Sequence, residues 1–238
     1  MQADLRQQLL ALYDPLPVKD RLFVRARLLL SDLDRLERYV PTQGRILDIG
    51  SGHGLVANIL ALTGPDRQVL GVDLDPAKIA AARQTIGERD NIDFVVGDAA
   101  ALPGGPFRGV TIADVLYTIP PATQRAILRQ IAAVLEPGGV LVWKTQIREP
   151  RWKYAITYGQ EWLMTRLGPT MSEGLYFLDR KESLAALREA GLRPALIPMS
   201  SPRPYTDVLF LGYRQAATTL DADAAQASHL PTWSPHAR

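Results

Sequence analysis

The sequence predicts an α/β fold: a doubly wound, mostly parallel sheet of seven strands with one antiparallel strand, together with N-terminal helices. Two observations carry this prediction. Between residues 44 and 145, short apolar runs alternate with helical patterns, which is typical of βαβ units and a parallel sheet. After this stretch, one more helical pattern precedes two strand-like runs with a short link, which favours an antiparallel pair.

The first five strands are predicted from short apolar runs that contain β-branched residues. In chain order these runs are Arg45–Ile49, Gln68–Asp73, Ile92–Val96, Gly109–Ala113 and Val140–Trp143. Apolar residues at helical spacing predict the helices between them, at Gly54–Leu62, Pro76–Ile86 and Ala122–Leu135. The breaker Glu136-Pro-Gly-Gly139 predicts the end of the third helix.

The last helix is predicted from signals at both of its ends. Asp179 is followed three residues later by Glu182, which is the spacing of a capping box. The helix then runs to Ala190, and Gly191 stands where a left-handed residue usually ends a helix. The two final strand-like runs are Leu192–Met199 and Tyr205–Tyr213.

The predicted domain organisation has three parts, and the first carries an amphipathic pattern. The parts are an N-terminal helical extension (1–43), a core domain (44–213) with an insertion (146–178), and a mobile tail (214–238). In the extension, one helix is predicted by Leu22, Ala26, Leu29, Leu33, Leu36 and Val40. Packing on the sheet is the favoured interpretation, and a lid or a membrane-surface helix is the alternative. Its polar face has mixed charge, which argues against strong attraction to anionic lipid. The charged residues of this face are Arg21, Arg25, Arg27, Arg35, Asp32, Asp34 and Glu37.

Composition limits the functional classes. With 47% hydrophobic and 22% charged residues, the chain can bury a core and is not of a disordered type. A net charge of +2 is too small for a dedicated nucleic-acid binder. The absence of cysteine excludes disulfides, thiolate metal sites and a cysteine nucleophile. Without a signal-like start or a long apolar stretch, we expect a soluble, cytoplasmic protein with no transmembrane segment.

The segment Asp48-Ile-Gly-Ser-Gly-His-Gly54 follows the first strand and opens a helix. Glycines there allow a tight reversal and let a ligand press against the backbone. The spacing is one residue shorter than the dinucleotide-binding Gly-x-Gly-x-x-Gly. Asp48 would repel a pyrophosphate, but it suits a cation such as an ammonium or a sulfonium.

Two further acids follow the next two strands. Asp73 ends the second strand, where a carboxylate can accept hydrogen bonds from both hydroxyls of a ribose. The alternative is that Asp73 caps the next helix, a role that Asp75 fits better. Asp98, before Ala99, could accept from an adenine amine, and the alternative there is a simple turn.

Together these residues resemble the class I S-adenosylmethionine (SAM)-dependent methyltransferases. The matching segments are Asp48–Gly54 (first motif), Val72-Asp73 (ribose), Asp98-Ala99 (adenine), Asp114–Tyr117 (reaction centre) and Leu135–Gly139 (turn before the fifth strand). The resemblance covers residues 44–213 and implies SAM as cofactor, with direct in-line displacement at the sulfonium methyl. The cofactor-binding residues that it implies are Asp48, Gly50, Ser51, Gly52, Asp73, Leu74, Asp98, Ala99 and Asp114.

Catalytic residues are harder to predict, because a general base is needed only when the acceptor retains a proton. The candidates are Tyr117, Asp114 and His53. Each has an alternative role: Tyr117 as a packed aromatic, Asp114 as the cap of a turn, and His53 as a loop residue beside the cofactor. We assign no metal site.

The insertion is rich in aromatic residues and is the predicted acceptor region. Its candidate substrate-binding residues are Tyr154, Tyr158, Trp162 and Tyr176, which could alternatively form a small core of their own. We expect a small-molecule or lipid-like acceptor covered by the insertion and the N-terminal helix. No nucleic-acid partner is expected; peripheral membrane contact and the oligomeric state stay open.

Other functions remain as alternatives. A non-catalytic SAM-binding or interaction protein would keep the cofactor loop. An NAD-type oxidoreductase is disfavoured by the loop spacing, and a propylamine-transferase relative by the basic residues of the insertion.

Overall fold

The computed structural model describes residues 3–148, 159, 174–199 and 207–216. Its strands are β1 (Gly44–Ile49), β2 (Arg67–Asp73), β3 (Ile92–Val96), β4 (Phe107–Ala113), β5 (Leu135–Gln146), β6 (Leu192–Pro198) and β7 (Asp207–Arg214). They form one seven-stranded sheet in the order β3-β2-β1-β4-β5-β7-β6. Strand β7 is antiparallel to both β5 and β6, and the other pairs are parallel. The predicted fold class is confirmed.

The described helices cover both faces of this sheet. They are α1 (Ala3–Ala11), α2 (Val18–Leu30), α3 (Leu33–Glu37), α4 (Leu55–Thr63), α5 (Pro76–Arg83), α6 (Pro121–Val134) and α7 (Arg180–Glu189). Buried residues of α1 to α5 pack in one apolar cluster, and those of α6 and α7 pack in another. Neighbouring residues of β1 belong to different clusters, Ile46 to the first and Leu47 to the second, as alternation along a strand requires.

The ends of α7 follow the sequence prediction. The Asp179 carboxylate accepts from the Glu182 N–H at 2.8 Å, and the Glu182 carboxylate accepts from the Asp179 N–H at 2.7 Å. Gly191 follows the helix with a φ of +80°. The capping box and the glycine stop are therefore confirmed.

The prediction of one long N-terminal helix is wrong. The helix breaks between α2 and α3, because Ser31 is extended and its hydroxyl donates to Asp114 at 3.3 Å. The predicted apolar face is divided as well, since Leu22 and Leu29 are exposed while Leu33 is buried. Helix α1, which the pattern did not predict, buries Leu9 against the same apolar cluster.

The fifth strand is longer than predicted. Strand β5 begins directly after α6, so that Glu136-Pro-Gly-Gly139 lies within the strand. Leu135 pairs with Phe107 and Val140 pairs with Gly109, which leaves extra residues on β5 as a bulge. The breaker ends the helix as expected, but pairing with β4 keeps it in the sheet.

Candidate functional site

A cavity of about 500 Å³ lies at the carboxyl ends of the parallel strands β1 to β4. Open α/β sheets bind their ligands at this edge. All nine predicted cofactor residues and His53 line the cavity, although they are spread over 67 positions of the chain, from 48 to 114. The inner side of α2 closes it, through Phe23, Val24 and Arg27.

The glycine loop is held by the end of the neighbouring strand. The N–H groups of Gly50 and Ser51 both donate to the Val72 carbonyl, at 2.8 and 3.0 Å. Gly50, Gly52 and Gly54 have φ values of +69°, +52° and +79°, so every second residue of the loop is left-handed. This backbone explains the Gly-x-Gly-x-Gly spacing, because residues with a Cβ rarely adopt it.

Two of the glycines also have no room for a side chain. A Cβ on Gly50 would lie 2.3 Å from Val115 Cγ2, and one on Gly54 would lie 2.5 Å from the Phe94 ring. A Cβ on Gly52 would meet only a carboxylate oxygen of Asp73, at 4.0 Å. The backbone at Gly52 therefore leaves space for a ligand.

Asp48 is a buried carboxylate with one oxygen in use. Its Oδ1 accepts from the Thr111 hydroxyl at 2.7 Å, and the residue is only 2% exposed. Its Oδ2 is buried and has no hydrogen-bond partner. Burial raises the pKa of Asp48 to about 7. A cation placed beside Oδ2 would supply the missing partner and favour the ionised form.

Asp73 is fixed by the backbone around it. Its Oδ2 accepts from the Gly52 N–H at 2.8 Å, and its Oδ1 accepts from the Asp75 N–H at 2.9 Å. Asp75 caps α5, where it accepts from the N–H groups of Ala77 and Lys78. The cap role thus belongs to Asp75. The carboxylate of Asp73 keeps acceptor capacity at the cavity wall.

The side of the cavity next to Asp73 has an apolar edge. Leu74 is 62% exposed, and both Leu74 and Ala99 line the cavity. The Asp98 carboxylate accepts from the Ala100 N–H at 2.8 Å, so the turn that was the alternative interpretation of Asp98 is present, and its adenine-binding role stays a prediction. An exposed leucine beside a carboxylate offers a flat ring both an apolar contact and a hydrogen-bond acceptor.

Asp114 lies in a buried ionic cluster. Lys144 Nζ is 2.9 Å from Asp114 Oδ1, and Arg27 Nη2 is 2.9 Å from Oδ2. Lys144 also pairs with Asp207 at 3.4 Å. Although burial alone would raise it, the two cations hold the pKa of Asp114 below its usual value. Both oxygens of Asp114 already accept from the protein, an arrangement that favours a structural role over binding a ligand amine.

Sequence reasoning missed two members of this cluster, Lys144 and Asp207. Burial would lower the pKa of Lys144, but its two carboxylate neighbours raise it. The signal in the sequence was a lysine directly after the apolar run Val140–Trp143. A charge in a buried strand requires a partner. The sequence placed Arg27 on the polar face of the N-terminal helix, and the structure pairs it with Asp114 at the cavity wall.

His53 joins the glycine loop to α2. Its Nε2 lies 3.5 Å from Asp20 Oδ1, and its ring lies 5.2 Å from the ring of Phe23. Partial burial lowers the pKa of His53 below its usual value, which favours the neutral imidazole near pH 7.

The aromatic candidates lie elsewhere or outside the described residues. Tyr117 is buried, its ring stacks on Phe177 at 4.7 Å, and its carbonyl accepts from the Tyr176 N–H. Neither tyrosine lines the cavity, an arrangement that favours the packed-aromatic alternative for Tyr117. The candidates Tyr154, Tyr158 and Trp162 fall outside the described part of the chain.

The described residues include neither a metal-binding cluster nor a membrane-spanning helix. They contain no group of three or more metal-ligating side chains that could hold an ion. No helix among them is long and apolar enough to cross a membrane.

Comparison with known proteins identifies the family. The model of the family "Methyltransferase domain" matches residues 46–139. A ubiquinone biosynthesis O-methyltransferase from Xanthomonas euvesicatoria pv. vesicatoria is 34% identical over 168 residues, which are 67% of this chain and 68% of that protein. This chain belongs to the class I SAM-dependent methyltransferases.

Other relatives of this methyltransferase are matched over smaller parts. A carboxy-S-adenosyl-L-methionine synthase from Chromohalobacter salexigens is 38% identical over 48% of this chain and 44% of its own length. A ubiquinone biosynthesis O-methyltransferase from Xanthomonas axonopodis pv. citri is 33% identical over 66% of this chain and 65% of its own length. The methyltransferase therefore spans less than two thirds of the length of both proteins.

Solved structures have the same fold. Magnesium protoporphyrin IX methyltransferase from Synechocystis PCC 6803, with bound SAH, superposes with a TM-score of 0.64 at 19% identity over 90% of this chain and 95% of that one. An O-methyltransferase family protein from Burkholderia thailandensis gives a TM-score of 0.68 at 19% identity over 84% and 60%. The family's cofactor is SAM, and the cavity of this methyltransferase fits it. An unpartnered buried carboxylate oxygen at Asp48 suits an ammonium, and the backbone at Gly52 leaves room for a ligand.

Proposed function

We propose that this methyltransferase transfers the methyl group of SAM to a hydroxyl of a small-molecule or lipid-like acceptor. The observation that carries the proposal is the buried, unpartnered Oδ2 of Asp48 in the same cavity as Asp73. The two acids stand at separate points of one cavity. This arrangement matches a ligand that has a cationic amino-acid end and a ribose.

Five residues of the site then have binding roles. Asp48 pairs with the ammonium, Asp73 accepts from the ribose hydroxyls, and Asp98 accepts from the adenine amine while Leu74 and Ala99 contact its ring. When bound, SAM would supply an electrophilic methyl group: an acceptor lone pair would bond to the methyl carbon as the carbon–sulfur bond breaks, with S-adenosylhomocysteine as the leaving group. The protein orients the two reactants and excludes water from them.

The remaining walls of the cavity favour an apolar acceptor. Phe23, Val24 and Leu33 come from the N-terminal helices, and Val115 and Ile119 come from the chain after β4. The names of the O-methyltransferase relatives support a hydroxyl as the acceptor group.

His53 is the base that we propose for a hydroxyl acceptor. It lines the cavity, burial favours its neutral form, and Asp20 lies close enough to stabilise the imidazolium. Tyr117 does not line the cavity, and Asp114 is already paired with two cations.

Calorimetry on the Asp73→Asn variant tests the cofactor site. We expect at least a tenfold loss of SAM affinity, since asparagine replaces one acceptor oxygen with a donor; tenfold corresponds to about 1.4 kcal/mol. The matched control is Asp75→Asn, which keeps a good helix cap and should bind SAM like the wild type. NAD should not bind. Failure to bind SAM at millimolar concentration would contradict the assignment.

Mass spectrometry of a metabolite and lipid extract, incubated with enzyme and methyl-labelled SAM, tests the reaction. We expect one labelled small molecule together with S-adenosylhomocysteine. Label found only in RNA or protein would refute the small acceptor. SAM binding without S-adenosylhomocysteine would indicate a non-catalytic SAM-binding protein, and a carboxylated SAM would indicate the chemistry named for the Chromohalobacter relative.

A further inference from the structure

Helix α2 has an apolar stripe on its outer side. Val18, Leu22 and Leu29 are 60%, 58% and 54% exposed. On a helix of 3.6 residues per turn, the three lie within about 40° of one another. Isolated exposed apolar residues are common, but an aligned row on one helix marks a contact surface.

Basic residues flank this stripe. From the helix geometry, Lys19 and Arg21 lie about 80° to either side of it, and Arg25 lies about 40° away. The acid of α2, Asp20, is turned the opposite way and contacts His53. Between described residues, the other ion pair of α2 joins Arg27 to Asp114, again on the cavity side.

The break after α2 separates this helix from the acids that the sequence placed on its polar face. The acids counted on the polar face of one long helix, Asp32, Asp34 and Glu37, follow the break at Ser31. Glu37 belongs to α3 and pairs with Arg67 at 3.1 Å. The outer side of α2 is therefore apolar and cationic, without the mixed signs that argued against anionic lipid.

We propose that the outer side of α2 (Val18, Lys19, Arg21, Leu22, Arg25 and Leu29) docks on an anionic membrane surface. Apolar side chains entering the headgroup region, flanked by cations, are the pattern of an interfacial helix. A single helix would separate the membrane from this part of the cavity, because Val24 and Arg27 on the inner side of α2 line it. This docking goes beyond methyl transfer and does not require it.

Vesicle co-sedimentation of the full chain tests the proposal without SAM or acceptor. We expect binding to phosphatidylcholine vesicles that contain roughly one quarter phosphatidylglycerol, little binding to phosphatidylcholine alone, and a decrease with salt. Arg25→Glu should lower the partition coefficient at least tenfold, since each cation near such a surface is worth about fivefold. The matched control, Arg129→Glu on the exposed side of α6, should stay within about twofold of the wild type.

The absence of cysteine permits a second, site-specific measurement. An environment-sensitive dye on Leu22→Cys should shift to shorter wavelength on anionic vesicles, while the same dye on Arg129→Cys should not. No shift at position 22, or equal shifts at both positions, would overturn the docking surface. Dimerisation through the stripe would also overturn it. In that case the wild type would not bind vesicles, and Leu22→Gln would halve the mass measured by light scattering. SAM calorimetry on the same variants keeps these outcomes separate from the proposed function.

Discussion

At the scale of the single residue, Asp48 combines burial with an oxygen that lacks a partner. Burial raises the pKa of Asp48 to about 7. In the folded protein without ligand, Asp48 therefore binds a proton near pH 7, whereas in the unfolded chain it does so only near pH 4. Ionised Asp48 is therefore destabilising until a cation reaches it. A site that is costly alone and satisfied by its ligand is a usual compromise between stability and function.

Asp48→Asn should stabilise the protein without ligand and weaken SAM binding. The pKa of Asp48 is higher in the folded than in the unfolded state. Its contribution to the stability of the wild type is therefore present at low pH and is lost as the pH rises from about 4 towards 7. The advantage of the variant should grow over that range and reach roughly 2 kcal/mol at pH 8, part of the shift being offset by the new amide. Urea unfolding at several pH values measures it.

The matched control is Asp93→Asn, an exposed carboxylate on β3 that should show no such pH-dependent gap. A wild type and an Asp48→Asn variant of equal stability from pH 4 to 8 would show that Asp48 is not buried in its ionised form.

At this scale the sequence could predict that Asp48, Asp73 and Asp98 lie around one cavity, because they stand at or just after the ends of strands that meet at one edge of the sheet. It could not predict which of their oxygens would be used. Those contacts depend on Thr111 and on the backbone of Gly52, which no local pattern connects to Asp48 and Asp73.

At the scale of the element, the start of α4 depends on a glycine. Gly54 precedes the helix with a φ of +79°, and the space beside it is filled by Phe94 of β3. The loop, the helix and the strand are therefore packed against one another at a point where a methyl group does not fit.

Gly54→Ala should lower the free energy of unfolding by at least about 2 kcal/mol more than Gly87→Ala does. Both glycines have positive φ, but a Cβ on Gly87 meets nothing within 4 Å, while a Cβ on Gly54 lies 2.5 Å from Phe94. The difference isolates the steric conflict from the backbone strain. Chemical denaturation measures both, and equal losses would place the whole cost in the backbone.

Helix and strand ends were predicted correctly where their sequence signals are local. They were predicted wrongly where a contact between residues far apart in the chain determines the end. The capping box of α7 lies within four residues, and the sequence predicted it correctly. The break after α2 depends on Ser31 and Asp114, which are 83 residues apart. The early start of β5 likewise depends on Leu135 meeting Phe107 on the neighbouring strand.

At the scale of the whole molecule, Lys144 connects parts that are far apart in the chain. From β5 it pairs with Asp114 after β4 and with Asp207 at the start of β7, and Asp114 in turn holds Arg27 of α2. The alternating pattern, the antiparallel pair at the end and the family resemblance predicted the mostly parallel sheet of seven strands with one antiparallel strand. The contacts that hold α2 across the cavity were not predicted, because they join residues that are far apart in the chain.

Lys144→Met should destabilise the protein by about 3–5 kcal/mol, because it leaves two buried carboxylates without their shared cation. The loss should be larger at pH 8 than at pH 5, since the carboxylates can then protonate at the lower pH. The triple variant Lys144→Met/Asp114→Asn/Asp207→Asn should recover part of the stability. Thermal unfolding followed by calorimetry measures all three proteins, and no recovery in the triple variant would point to packing as the source of the loss.

Helix α2 also has a thermodynamic consequence, because one of its sides forms the cavity wall and the other faces outward. If SAM binding also favours one position of the helix, any molecule that binds the outer side and prefers one position must change the affinity for SAM. The linkage is reciprocal, so SAM must change the affinity for that molecule by the same factor. A binder raised against α2 alone could therefore report the occupancy of the cavity, or control it, without entering the cavity.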